Sequence, residues 1–179
     1  RYKLYLIKFV YIMNLNYVKN KVEFYKDFPI KGVEYIDLNP IYKDPKARNI
    51  LVEKCLEDIQ KVDFEYLALI ESRGFLIGSI IADKLDKGII LCRSKKDRLP
   101  GKIQTVRHKL EYGEATMQVQ EGKGKVLIFD DVLATGGTAN GAFKVLNFGG
   151  YTPVYSLFLV ELSQFTVTCD TRYSSALIL

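Results

Sequence analysis

The stretch KVLIFDDVLATGGTANGA, residues 125–142, sets four bulky apolar residues, Val126 to Phe129, against two adjacent carboxylates, Asp130 and Asp131. A loop of small and hydroxyl residues follows, and then a helix-like run, ANGAFKVLNFGG, with a glycine stop. The apolar run reads as a buried strand that ends where the carboxylates begin. In the loop, Gly136 and Gly137 let backbone N–H groups approach an anion, Thr135 and Thr138 add hydroxyl donors, and the helix start adds its positive end. A tight turn alone would account for Asp-Asp and Gly-Gly, but not for both threonines and a helix start as well. The loop is therefore a phosphate cradle. It lacks GxxxxGK[ST] and GxGxxG, which argues against nucleoside triphosphates and dinucleotides. Two carboxylates beside a phosphate would repel it unless they face something else, and vicinal sugar hydroxyls with a nearby Mg²⁺ are their natural partners. The ligand expected from these residues is a ribose 5-phosphate.

Upstream, YLALIESRGFLIGSIIADKLDKGIILCR gives an apolar run ending at Glu71, a helical segment from about Phe75 to Leu85, and a second apolar run from Ile89 to Cys92. This is a βαβ unit. The run ahead of Asp130 supplies a third strand and VYSLFLVEL a fourth. NYVKNKVEFYKDFP reads as an amphipathic helix with apolar positions at Val18, Val22 and Tyr25. Runs that are apolar throughout imply an α/β fold, a mostly parallel sheet with helices on both faces. In such sheets ligands sit at the carboxyl ends of the strands, here at Glu71-Ser72-Arg73-Gly74 and Asp130-Asp131.

The chain has 179 residues, 48% hydrophobic and 26% charged, the profile of a single globular domain. Its net charge of +5 is scattered, with no RNA-module pattern of aromatics, so a small anionic substrate explains it and nucleic acid is not the expected partner. Cys55, Cys92 and Cys169 are widely spaced with no CxxC, and His108 is the only histidine. They read as reduced thiols of a cytoplasmic protein, without a zinc site. The first twelve residues, interrupted by Lys3 and Lys8, are shorter than the roughly 20 needed to span a membrane. They read as an extension ahead of Met13; the other reading, a signal peptide, lacks an A-x-A-like cleavage site.

VLIFDDVLATGGT resembles the phosphoribosyl pyrophosphate (PRPP) signature of the type I phosphoribosyltransferases, and three further segments are similar to the adenine phosphoribosyltransferase family. DFPIKGVEYIDLNPIYKDP, residues 27–45, resembles the amino-terminal hood that covers the purine. ESRGF resembles the pyrophosphate loop. RLPG, followed twelve residues later by the end of LEYG, resembles the mobile lid, residues 93–113. The resemblance runs from about Asp27 to Leu162. It implies exchange of adenine with the pyrophosphate of PRPP to give AMP, in a homodimer, with Mg²⁺ carried by PRPP near Asp130 and Asp131 and no direct protein ligand. Alternatives are transfer to another purine, or a non-catalytic regulator that binds PRPP.

Asp130, Asp131, Ala134, Thr135, Gly136, Gly137 and Thr138 are then expected at the ribose and its 5′-phosphate. Glu71, Ser72, Arg73, Gly74, Lys95 and Arg98 are expected at pyrophosphate, with Arg73 countering the leaving-group charge. Val33, Glu34 and Ile36 are expected at adenine. The segment 93–113 is rich in Lys and Arg and suits a basic lid over phosphates, although a solvated loop would have the same composition. In it Leu99, Pro100, His108 and Tyr112 are lid residues. Glu111 is the candidate for proton management at adenine N7, since enzymes of this fold for other purines place a carboxylate in the phosphate loop where Ala134 stands. Four positions depart from the family pattern: Ile36 for arginine, Ser94 for arginine, Asp97 for glycine and His108 for tyrosine.

Overall fold

A computed structural model describes residues 14–95, 97–110 and 113–179. The extension expected ahead of Met13 lies outside the described residues. The chain divides into two compact units, residues 1–54 and 55–179.

In the described part of the first unit, residues 14–19 are helical (α1). The helix expected to run on through Val22 and Tyr25 gives way instead to strand β1, Glu23–Lys26, paired antiparallel with β2, Glu34–Asp37. The reason is the partner strand: Phe24 and Tyr25 pair with Ile36 and Tyr35, and such cross-strand pairing overrides a weak helical period. A short helix, α2 (Asn39–Lys43), and a 15-residue helix, α3 (Pro45–Ile59), follow, the latter crossing the division between the units. Asp44 caps α3: its Oδ1 accepts the N–H groups of Lys46 (2.9 Å) and Ala47 (3.2 Å), and Pro45 fills the first helical position, where an N–H has no partner. The other carboxylate oxygen takes the Tyr17 hydroxyl at 2.6 Å and the Lys21 ammonium at 2.7 Å.

The second unit is the α/β body. Strands β3 (Tyr66–Ile70), β4 (Gly88–Cys92), β7 (Gly124–Leu133), β8 (Tyr151–Glu161) and β9 (Tyr173–Ile178) form a parallel sheet in the order β4-β3-β7-β8-β9. Helices α4 (Gly74–Lys84) and α5 (Gly137–Phe148) complete the layers. Successive side chains of a strand point to opposite faces, so a strand that is apolar throughout must be covered twice. Leu69 and Phe129 meet α4, whose Gly78 lies so close that a Cβ there would come 2.4 Å from Leu69. Ala68, Ile70, Val126 and Ile128 pack with Ala142, Val145 and Leu146 of α5.

Three expectations are corrected. β7 does not stop at Phe129 but continues through Asp130 and Asp131 to Leu133, because β8 goes on pairing with it after β3 has ended. The sheet has five strands where four were expected: the carboxyl-terminal segment supplies β9, with Ala176 and Leu177 buried. The segment 93–113, expected as a loop, includes strand: β5 (Ile103–Leu110) pairs antiparallel with β6 (Gly113–Gln120). Val106, Met117 and Val119 of this ribbon join the core beneath α5, which fixes strand where charge alone suggested a loop.

Candidate active site

Topology selects the place. From β3 the chain crosses to β4 on one side of the sheet, and from β7 to β8 and β9 on the other. The carboxyl ends of β3 and β7 therefore flank the crevice where strand order reverses, the position at which open α/β sheets bind ligands.

The end of β3 carries Glu71, Ser72, Arg73 and Gly74, with a cis peptide between Glu71 and Ser72. Arg73 stands at the start of α4, and its Nε lies 2.8 Å from Asp131 Oδ2. Gly74 lies hard against β7: a Cβ there would meet Phe129 O and Asp130 Oδ1, each at 3.2 Å. The structure thus brings the segment expected at pyrophosphate and the paired carboxylates together, with Arg73 as ion-pair partner of Asp131. Glu71 faces β4. Its Oε2 accepts the Ser94 N–H at 2.8 Å and the Ser94 hydroxyl at 3.2 Å, and its Oε1 lies 3.2 Å from Arg93. Ser94, where the family has arginine, thereby fixes the first turn after β4. Lys95 and Arg98 are exposed, and Ser72 is too.

Asp130 and Asp131 differ in environment. Asp131 is 3% exposed and neutralised by Arg73. Burial first, and then the Asp131 charge, push the Asp130 carboxyl well above the usual carboxylate range, while the Asp131 N–H on its Oδ1 (2.9 Å) and Arg73 pull it back. Cys92, buried nearby, has its thiol pushed up to about 12 by burial and by Asp130. Among the described residues no group of three or more His, Cys, Asp and Glu side chains is placed to hold a metal. Two carboxylates are too few for a resident Mg²⁺, but they fit a cation that arrives coordinated by a phosphate ligand.

The loop Ala134 to Gly137 joins β7 to α5. Gly136 has φ of 94°, the left-handed region open to glycine at little cost, and caps α5. Its carbonyl accepts the Asn140 N–H at 2.9 Å. Thr135, Gly137 and Thr138 are part-buried around the helix start. Sequence reasoning missed the other side of this loop. Thr168 donates its N–H to Thr135 O at 2.9 Å, and a Cβ on Gly136 would come 2.1 Å from Thr168 O. Nothing in the motif signals this partner, which lies thirty residues downstream.

Of the lid, Pro100 O accepts the Gln120 side-chain amide at 2.9 Å, and Leu99 is half-buried. Asp97, which replaces the family glycine, has φ of 59° and so keeps a backbone conformation that aspartate tolerates better than most residues. His108 sits in β5 opposite Ala115. Glu111 and Tyr112 lie outside the described residues. In the first unit, Val33 closes the turn between β1 and β2, Glu34 is exposed, and Ile36 is 5% exposed. That unit also holds a cavity of about 280 Å³ lined by Tyr25, Phe28, Tyr35, Asp37 and Asn39, a set that includes none of the three residues expected at adenine.

No protein-family model matches the chain. Individual relatives do. The chain is 42% identical over 154 residues to the adenine phosphoribosyltransferase of Prochlorococcus marinus (strain NATL1A), covering 84% of this chain and 89% of that one. With the adenine phosphoribosyltransferase of Nitrosopumilus maritimus (strain SCM1) it shares 38% identity over 157 residues, 85% and 89% of the two chains. Among solved structures, adenine phosphoribosyltransferase from Rhodothermus marinus DSM 4252 superposes with a TM-score of 0.84 at 31% identity, covering 94% of this chain and 99% of that one. The Giardia lamblia enzyme complexed with 9-deazaadenine superposes with a TM-score of 0.81 at 28% identity, over 90% and 96%. A glycine-threonine loop and a carboxylate pair at a sheet reversal, inside a chain aligned over most of its length with such relatives, have one consistent reading: the chain belongs to the adenine phosphoribosyltransferase family.

Proposed function

We infer that the chain transfers the 5-phosphoribosyl group of PRPP to adenine, giving AMP and pyrophosphate in purine salvage. The observation that carries this reading is the meeting of Arg73 with Asp131, beside Asp130 and ahead of the Thr135–Thr138 cradle. In the reaction the bond from ribose C1′ to the pyrophosphate oxygen breaks, the bond from C1′ to adenine N9 forms, and the N9 proton is released. Positive charge develops on the ribose and negative charge on the leaving group. Backbone N–H groups of residues 135–138 hold the 5′-phosphate, and Asp130 and Asp131 take the ribose hydroxyls. Arg73, Gly74, Ser72, Lys95 and Arg98 surround pyrophosphate, with Glu71 holding the turn from which Lys95 projects. Asp130 and Asp131 would lie beside a Mg²⁺ carried by PRPP, which would supply neutralisation of the phosphate charge.

The purine contacts are assigned to Val33, Glu34 and Ile36 of the first unit. Ile36 is 5% exposed and pairs with Phe24, which leaves Val33 and Glu34 the more accessible of the three. The lid, with Leu99, Pro100, His108 and Tyr112, excludes water, and Glu111 holds the proton at adenine N7. The active form is a cytoplasmic homodimer with each subunit folded as a single phosphoribosyltransferase domain, and sedimentation of the purified chain tests the pairing.

The direct experiment offers adenine, hypoxanthine, guanine and xanthine separately with PRPP and Mg²⁺ and follows pyrophosphate release. Turnover with adenine alone is expected. PRPP binding without turnover on any base would make the chain a regulator instead. Glu111→Gln is expected to lower kcat about 10²-fold while PRPP binding survives. Unchanged turnover would remove Glu111 from its role.

A further inference from the structure

A glycine-rich phosphate loop has a problem that its sequence does not solve. The freedom that lets its N–H groups approach an anion also lets them point elsewhere, and fixing each residue costs conformational entropy. Something outside the loop must hold it. Here that is residues 168–170, in the connection between β8 and β9.

Thr168 uses both backbone groups on the loop. Its N–H donates to Thr135 O at 2.9 Å, and its carbonyl oxygen lies against Gly136, leaving no room for a Cβ. A trans peptide plane points its C=O and N–H in opposite directions. Tying Thr135 O to Thr168 therefore aims the Gly136 N–H the other way, away from the brace. The brace in turn is held by one side chain. Asn140, in the first turn of α5, donates from Nδ2 to Thr168 O at 2.8 Å and accepts the Asp170 N–H on Oδ1 at 2.8 Å. Its own N–H donates to Gly136 O. One residue thus ties the helix start, the phosphate loop and the carboxyl-terminal connection together, and Ser156 and Thr171, whose hydroxyls lie 2.6 Å apart, anchor that connection to β8.

We propose that Asn140 is a positioning residue for the 5′-phosphate of PRPP: by clasping the Thr168 carbonyl and the Asp170 amide it holds the Thr135–Gly137 loop in the form that presents its N–H groups to phosphate. The inference rests on the PRPP reading above. Asn140 touches no reacting atom, so its loss acts on binding of the phosphate and not on the chemical step.

The test compares Asn140→Ala with Asn147→Ala, which removes an amide near the far end of α5 that bonds only its own helix at Phe143 O. Asn140→Ala is expected to raise KM for PRPP and Kd for ribose 5-phosphate about 10-fold, the effect of one to two lost hydrogen bonds, with kcat at saturating PRPP within about threefold. Asn147→Ala is expected to leave both constants unchanged. Unaltered PRPP KM in Asn140→Ala, or an equal loss in both variants, would overturn the proposal. Wild-type chain that fails to bind ribose 5-phosphate would instead remove the PRPP reading itself, which separates the two failures. If Asn140→Ala does not fold, hydrogen exchange of the intact chain decides: protected Thr168 and Asp170 amides support the clasp, and fast exchange at both refutes it.

Discussion

At Asp130 binding and stability oppose each other. Burial and the neighbouring Asp131 charge raise its carboxyl well above the usual range, so the folded state holds the proton more tightly than the unfolded chain does. A group raised in this way contributes stability below its unfolded value, and that contribution is lost as pH rises through the folded value. At neutral pH the ligand-free protein therefore lacks part of the stability that this carboxyl contributes in acid. Asp130→Asn, which keeps the oxygen facing the Asp131 N–H, is expected to raise the thermal midpoint of the ligand-free chain at about pH 7. The gap to wild type should close as pH falls toward the ordinary carboxylate range. The same variant is expected to weaken PRPP binding. A lower midpoint at neutral pH, or intact PRPP affinity, would contradict this account.

At the scale of elements, legibility followed how much of an element's stability is local. Strands β3 and β7 and helices α4 and α5 were readable because their apolar runs, hydroxyls and glycines act within a few residues. Residues 22–26 and the ribbon β5–β6 were not, since each is fixed by a partner strand that the local pattern does not name. Helix α3 lies between these cases: Asp44-Pro45 is a legible start, but the Tyr17 and Lys21 partners of Asp44 are not. The Lys21 ammonium, the Tyr17 hydroxyl and two backbone N–H groups hold the Asp44 carboxyl far below its ordinary value. Its contribution is therefore present above the unfolded carboxylate range and lost as pH falls through the folded value. Asp44→Ala is expected to speed hydrogen exchange of the Lys46 and Ala47 amides severalfold at about pH 7, with the difference shrinking in acid. Unchanged exchange would show that the cap is idle.

For the molecule as a whole, the three thiols report the fold. Cys55 and Cys92 are fully buried and Cys169 is partly exposed. At about pH 8 a thiol reagent is expected to modify Cys169 first and to reach Cys92 only as fast as the sheet opens, because a thiol pushed up to about 12 offers almost no thiolate. Rapid labelling of Cys92 in the folded chain would contradict the packing of β4. By itself the sequence determined the α/β class, the strand that leads into the glycine-threonine loop and the family that its motifs resemble. Those features depend on short-range physics: uninterrupted apolar runs, glycine freedom, hydroxyl donors and paired charge. Only the tertiary structure decided that Arg73 neutralises Asp131, that Ser94 and Arg93 answer Glu71, and that Asn140 and Thr168 brace the cradle. Each of those contacts joins segments between about twenty and sixty residues apart, and separation in the chain carries no record of proximity until the sheet order places the segments side by side.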